Sequence, residues 1–277
     1  MKLTDVSKTA IATLRCHVLE SKKNNPVIKD PMAEYCLNEL MAIATEEERM
    51  LLFNRKLSPV LTNHIAIRAR KYDSIINNYI SKMPSCTVVN LGCGFDTRYW
   101  RINNRPCEYI ELDLPELIEM KREVLKHHLS YEMIGCSVLD TSWIDRITSK
   151  GNRGFLLIAE GLFMYLPRMD VINLFKIFSE RLYNSQITLE VVTDKYTRGI
   201  WKKIVIMKIN RELGFDAGSS YSFGVKNASE FESFGEGLKV ANEWSYFEDP
   251  DIRPRILKYL GYSRTQWTVT VTINDES

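Results

Sequence analysis

Two kinds of apolar pattern follow one another along the chain. Up to about Met83 the apolar residues recur at spacings of three and four: Ile11, Leu14 and Val18, then Leu37, Leu40 and Met41, then Leu61, Ile65, Tyr72, Ile75, Ile76 and Tyr79. That period collects them on one side of a helix, so residues 1–83 are predicted to form a helical layer. Two helix starts are written into it. Asp30-Pro31 and Ser58-Pro59 each pair an N-cap residue with a proline at the first helical position, where the missing N–H costs nothing.

After Pro84 short apolar runs alternate with helical stretches. The runs are Thr87 to Leu91, Glu108 to Leu112, Tyr131 to Cys136, Phe155 to Ala159 and Gln186 to Val192. Strands buried on both faces read this way, and their alternation with helices predicts a mostly parallel sheet covered on both sides. Leu114-Pro115 opens a helix through His127, Leu166-Pro167 another through Tyr183, and a shorter one covers Thr141 to Ile147. Beyond Thr193 the pattern predicts a long helix, Lys195 to Leu213, then a Gly- and Ser-containing stretch, Gly214 to Gly224. A strand at Leu238 to Trp244, a helix near Ile252 to Leu260 and a last strand at Gln266 to Ile273 complete the tail. The expected architecture is α/β: a doubly wound, mostly parallel, seven-stranded, Rossmann-like sheet whose last pair is antiparallel. Residues 1–83 are its amino-terminal helical layer, 84–192 its core, and 193–277 a helical insertion with the sheet-completing strands. No internal repeat or linker marks a second domain.

Composition narrows the functional classes. The 277 residues are 45% hydrophobic and 26% charged, with 37 Lys plus Arg against 35 Asp plus Glu and a formal net charge of +2. A near-neutral, aromatic-containing chain is neither a dedicated nucleic-acid binder nor a disordered one. Cys16, Cys36, Cys86, Cys93, Cys107 and Cys136 include no CxxC pair, and with His17, His64, His127 and His128 they offer no zinc-type spacing, so no metal site is expected. The amino terminus carries no apolar run of signal length and no stretch is long enough for a bilayer span. A cytoplasmic protein with free thiols, no membrane partner and no nucleic acid is the expectation.

The chemistry begins at Val88-Val89-Asn90-Leu91-Gly92-Cys93-Gly94-Phe95-Asp96, an apolar strand running into Gly-x-Gly. At the carboxyl end of the first strand of such a sheet, Gly92 and Gly94 let the chain turn tightly and let a ligand lie against bare backbone. A helix is expected to follow, with Asp96 or Thr97 as its cap. Asp113, 21 residues after Gly92 and just beyond the second strand, is placed to accept the hydroxyls of an adenosine ribose. The third glycine of the usual dinucleotide fingerprint is replaced by Thr97 and no Gly-x-x-x-x-Gly-Lys loop is present. An adenosine ligand without a pyrophosphate, such as S-adenosylmethionine, therefore suits the pattern better than NAD. Asp140 can meet the adenine edge or cap the next helix. Glu160, a carboxylate continuing a buried run, demands a cation or a ligand, and the ligand contact is the favoured reading.

Three segments, VVNLGCGFDTRYWR (Val88 to Arg101), ELDLP (Glu111 to Pro115) and LLIAEGLFMYL (Leu156 to Leu166), closely resemble the leucine carboxyl methyltransferase-like family of class I S-adenosylmethionine-dependent methyltransferases. That family includes the methyltransferase of protein phosphatase 2A and polyketide-tailoring O-methyltransferases. The resemblance runs more loosely from IKDPMAEY (Ile28 to Tyr35) through IRARKYD (Ile67 to Asp73) to about Val192, and the tail beyond resembles nothing we recognise. It implies that Gly92 and Gly94 flank the methionine part of the cofactor, that Asp113 holds the ribose, that Asp140 and Thr141 flank adenine, and that Glu160 meets the amino acid end. Arg68, with Arg70 as the alternative, matches the arginine near the cofactor carboxylate, a job suited to a guanidinium fork. Cys93 stands where alanine is frequent.

The function so implied is methyl transfer to a carboxylate or hydroxyl oxygen of a small molecule. The alternatives are a protein carboxyl methyltransferase acting on a chain terminus, an NAD-dependent oxidoreductase and a silent cofactor-binding protein. No residue identifies itself as a general base. Tyr165 is the candidate substrate contact, and Trp201, Phe215, Tyr221, Phe223 and Phe231 are candidates for an apolar acceptor pocket or for the insertion's own core.

Overall fold

A computed structural model describes residues 5–54, 56–102, 107–151, 154–213, 221–261 and 264–274. Seven strands, β1 (Thr87–Leu91), β2 (Glu108–Asp113), β3 (Glu132–Gly135), β4 (Phe155–Ala159), β5 (Ser185–Val192), β6 (Leu238–Trp244) and β7 (Gln266–Ile273), form one sheet in the order β3-β2-β1-β4-β5-β7-β6. The first five are parallel and β7 inserts antiparallel between β5 and β6. The order reverses between β1 and β4, and at such a switch point the loops leaving the carboxyl ends of neighbouring strands open a crevice.

Burial explains why the strand runs read so clearly. Val89, Leu91, Leu157 and Leu189 face a core built with Trp143, Ile144, Phe175 and Phe178, whereas Val88, Leu156 and Ile158 face Tyr72, Ile76 and Tyr79. With both faces covered, every position of β1 and β4 is buried, so the code is a continuous apolar run. The helices in chain order are α1 (Asp5–Ser21), α2 (Pro31–Ile43), the single turn α3 (Glu46–Glu48), α4 (Pro59–Lys82), α5 (Pro115–Leu125), α6 (Ser142–Thr148), α7 (Arg168–Arg181) and α8 (Gly199–Leu213). Asp30 and Ser58 cap α2 and α4 by accepting from Ala33 N and Val60 N, as their sequences predict. A separate core of Ile11, Leu14, Val18, Leu37, Leu40, Leu117 and Val124 fastens α1 and α2 to α5.

Three expectations are corrected. Among the described residues between the glycine loop and β2 there is no α-helix. Arg98–Trp100 make one 3-10 turn, and Thr97 caps nothing because its hydroxyl is 2.7 Å from Asp30 Oδ2. The helix near Ile252 to Leu260 is a 3-10 turn, Arg255–Tyr259, hemmed between Pro254 and Gly261. The strand expected over Tyr131 to Cys136 is shorter at both ends, so that Asp140 stands five residues beyond it. All six cysteines are free thiols. No helix among the described residues is long and apolar enough to cross a membrane.

Candidate active site

The loop after β1 is held at every side. Gly92 N and Cys93 N both donate to Leu112 O of β2, at 2.7 and 3.2 Å. Gly92 and Gly94 have φ of +63° and +51°, the left-handed region that favours glycine. A Cβ on Gly94 would meet Ala10 Cβ of α1 at 3.0 Å, and one on Gly92 would meet Leu162 Cδ1 at 2.9 Å. The loop thus runs close between the amino-terminal helix and the segment leaving β4, and its two positive φ angles favour glycine. Asp113 lies directly beside it, its Oδ2 accepting from Gly94 N and its Oδ1 from Leu114 N, each at 2.8 Å. Burial pushes the Asp113 carboxyl up from its ordinary value even against those two bonds.

At the ends of β4 and β5 a charge cluster fills the floor of the crevice. Arg68 of α4 donates from Nε to Glu160 Oε1 at 2.7 Å and from Nη1 to both oxygens of Glu190, at 2.7 and 3.0 Å. Glu160 also receives Arg98 Nη2, and Arg98 is tied to Asp73 at 2.7 Å and to Asp96 at 2.9 Å. Arg101 bonds Asp73 at 2.7 Å and Asp96 at 3.3 Å, and reaches Asp30, whose Oδ2 also lies 3.1 Å from His17 Nδ1. Three arginines stand against five carboxylates, Asp30, Asp73, Asp96, Glu160 and Glu190, with Arg98 only 1% exposed. Burial would raise Glu160, but Arg68 and Arg98 outweigh it and hold the carboxyl below its ordinary value. At Glu190 burial wins over Arg68 and the carboxyl is pushed up.

The structure brings Gly92, Gly94, Asp113, Arg68 and Glu160 to one crevice at the carboxyl ends of β1, β2 and β4. Each oxygen of Glu160 receives one arginine, which supplies the cation its burial calls for and leaves each oxygen a further lone pair. Arg70 is elsewhere, pairing with Asp249 at 2.8 Å and Asp251 at 2.7 Å. Asp140 is exposed and its Oδ1 accepts from Ser142 N at 3.1 Å, so it steers the start of α6, while half-buried Thr141 holds the cap position. Tyr165 sits in a 3-10 turn after β4 with its ring 5.8 Å from that of Tyr221, and burial pushes its phenol up to about 12. Of the other candidate aromatics, Phe223 and Phe231 are core residues, Trp201 is exposed and Phe215 lies outside the described residues.

Arg98, Arg101, Asp73 and Glu190 were not singled out from sequence. The first two sit inside DTRYWR and the third ends IRARKYD, so charges within the motifs were their signal. Glu190 had the same signature as Glu160, a carboxylate inside an otherwise buried strand.

A model of the family described as leucine carboxyl methyltransferase matches residues 10–179, more than half of the chain, and takes in the glycine loop, Asp113, Arg68 and Glu160 but stops short of β5 and Glu190. The chain belongs to the leucine carboxyl methyltransferase family. It is an S-adenosylmethionine-dependent methyltransferase, and the oxidoreductase alternative falls away. This methyltransferase is 27% identical over 271 residues to the tetracenomycin polyketide synthesis O-methyltransferase TcmP of Streptomyces glaucescens, a match covering 94% of this chain and 91% of that one. It is 23% identical over 254 residues to an S-adenosyl-L-methionine-dependent methyltransferase of Gibberella zeae, covering 89% and 84% of the two chains. Among solved structures, a DUF574 family protein from Streptomyces avermitilis superposes with a TM-score of 0.59 at 12% identity, covering 96% of this chain and 97% of that one. The TcmP match extends well past Val192, so the methyltransferase's tail does resemble a known relative, contrary to the expectation from sequence.

The residues fit the cofactor. Two glycine positions cannot carry a Cβ without a close contact beside a buried acid, and the floor of the crevice holds more carboxylates than arginines. S-adenosylmethionine brings a sulfonium and an ammonium against one carboxylate, a net cation. A dinucleotide would bring a pyrophosphate to the same excess of negative charge.

Proposed function

We propose that this methyltransferase transfers a methyl group from S-adenosylmethionine to an oxygen of a small, polyketide-like acid or phenol. The observation that carries the cofactor half is the cluster of Arg68, Arg98, Glu160 and Glu190 at the ends of β4 and β5, adjoining the glycine loop and Asp113. The acceptor half is supported by the similarity to TcmP along nearly the whole of both chains.

In this reading Gly92 and Gly94 line the methionine portion of the cofactor and Asp113 accepts from the ribose hydroxyls. Its two oxygens have lone pairs left after the backbone bonds. Asp140 and Thr141 border the adenine, and Glu160 accepts from the ammonium. Arg68 binds the cofactor's carboxylate by exchanging one of its two glutamate partners for it. The bound cofactor supplies an electrophilic methyl group on sulfur. The protein's own work is to hold the acceptor oxygen in line with it and to keep water out, and such positioning supplies a large part of a rate enhancement. A carboxylate acceptor is already ionised at neutral pH and asks for no base. Tyr165, whose phenol is held protonated, then serves as a hydrogen-bond donor at the acceptor side rather than as a base.

Calorimetry with S-adenosylhomocysteine and NAD, followed by methyl-transfer assays on aromatic acids, their phenolic counterparts and a peptide with a free carboxyl terminus, tests the proposal. Binding of S-adenosylhomocysteine and turnover of the small acids or phenols is expected. Turnover of the peptide alone replaces the acceptor assignment with a protein terminus. Asp113→Ala should weaken S-adenosylhomocysteine by about 1–3 kcal/mol through loss of bonds to a charged acceptor, and unchanged affinity would remove Asp113 from the site.

A further inference from the structure

Beneath the glycine loop lies an ion pair that no step of methyl transfer calls for. Lys121 of α5 and Glu111 of β2 are both 0% exposed, with Nζ 2.7 Å from Oε2. Burying two charges is expensive, and a pair of well-packed apolar side chains usually fills such a site at no loss of stability. The carboxylate is not even fully used: Oε2 also receives Tyr131 OH at 3.1 Å, and Oε1 is buried with no hydrogen-bond partner among the described residues.

What Lys121 does besides neutralise Glu111 is donate to the backbone carbonyl of Asp96 at 2.6 Å. That carbonyl needs a donor because of the local fold. Had a helix followed Gly94, the amide ladder would have taken it. Here the chain makes one 3-10 turn, and Trp100 N goes to Thr97 O and Ile102 N to Arg98 O. The Asp96 side chain is fixed separately by Asn90 Nδ2 and Arg98 N, both at 3.0 Å. Glu111, in turn, lies two residues before Asp113 on the same strand. The chain of contacts Asp96 O, Lys121, Glu111 therefore ties the far end of the glycine loop to the strand that presents the acid meeting Gly94 N.

We infer that Lys121 is a positioning residue for cofactor binding: touching no ligand itself, it replaces the missing helix as the element that holds the loop Gly92 to Asp96 in its binding shape. This rests on the cofactor site proposed above.

Three proteins separate positioning from simple stability: the wild type, Lys121→Met and the double variant Lys121→Met with Glu111→Gln. Lys121→Met strands a buried carboxylate and lowers the melting temperature. The double variant removes that charge and regains most of the melting temperature, yet Asp96 O still lacks its donor. Both are expected to bind S-adenosylhomocysteine about tenfold or more weakly than wild type, the cost of one charge-assisted bond. A double variant that binds like wild type overturns the inference. Hydrogen exchange of the amides from Cys93 to Tyr99, measured without ligand, reads the clamp independently. It should quicken in both variants and stay unchanged in β4, and equal protection in wild type and double variant overturns the inference. If the wild type fails to bind S-adenosylhomocysteine the cofactor assignment fails, while the exchange data still decide the role of Lys121.

Discussion

At Gly94 the backbone lies in the left-handed region and a Cβ would stand 3.0 Å from Ala10 Cβ. Gly94→Ala should therefore cost about 1–2 kcal/mol in urea unfolding and weaken S-adenosylhomocysteine, since the strain and the crowding fall on the same turn. Full affinity in that variant would move the cofactor off the loop. Arg68 poses a different test. It answers two nearly buried carboxylates, and after Arg68→Met Glu160 keeps Arg98 whereas Glu190 keeps only Gln266 Nε2, at 2.7 Å. Breaking a buried pair from one side costs about 3–5 kcal/mol, so a large drop in the unfolding midpoint is expected, most of it restored by adding Glu190→Gln. These residues also show how far the sequence could be read. Gly92, Gly94, Asp113 and Glu160 were legible because each stands just past an apolar run, where the chain leaves the sheet. Arg98 and Arg101 were not, because their partners Asp30, Asp73 and Glu160 come from segments far apart in sequence, and no local pattern states which charges will meet.

Among the elements, the strands were the most legible. β1, β4, β6 and β7 have the bounds their apolar or alternating runs predict: β1, β4 and most of β7 are buried on both faces, whereas β6, at the sheet edge with a bulge between Val240 and Asn242, is mostly exposed. The turns were less so. Whether Gly-x-Gly leads into a helix depends on what satisfies the following carbonyls, and here a buried lysine from α5 does what the next turn of helix would have done. The join between α1, α2 and the loop is likewise invisible in the chain. Asp30 was legible as a cap, but its second oxygen gathers His17 from α1 and Thr97 and Arg101 from the turn after the glycine loop. Asp30→Ala should accordingly cost well over the ~1 kcal/mol of a lost cap. A loss confined to that value, in thermal or urea unfolding, would mean that the rest of the cluster closes up without it.

For the molecule as a whole, a formal charge of +2 hides two opposed sets of buried acids. Asp30 and Asp96 are held below their ordinary values by His17 and the neighbouring arginines against the pull of burial, as Glu160 is by Arg68 and Arg98. Their contribution to stability is present above the unfolded carboxylate range and is lost as pH falls through their depressed values. Burial instead raises Asp113 and Glu190 and pushes Glu111 up to about 7, so the fold binds protons that the unfolded chain releases. Their contribution declines as pH rises from the carboxylate range to neutrality. The two slopes meet at a maximum in the ordinary carboxylate range, about pH 4, and Glu111→Gln should flatten the side above it. Thermal unfolding from pH 3 to 8 checks both; a maximum above pH 7 would show that these acids stay ionised in the fold.

The bond from Gln266 to Glu190 has a consequence in time. Glu190 lies on β5, β5 pairs along its whole length with β7, and β7 leaves the ribosome after the other six described strands. Until Gln266–Ile273 emerge, the carboxylate shared with Arg68 has neither its amide donor nor its neighbouring strand. The crevice, begun at α1, is thus closed only once β7 has been synthesised. A nascent chain halted at residue 179, where the family match stops, would expose the edge of β4 and carry an arginine still waiting for its second glutamate.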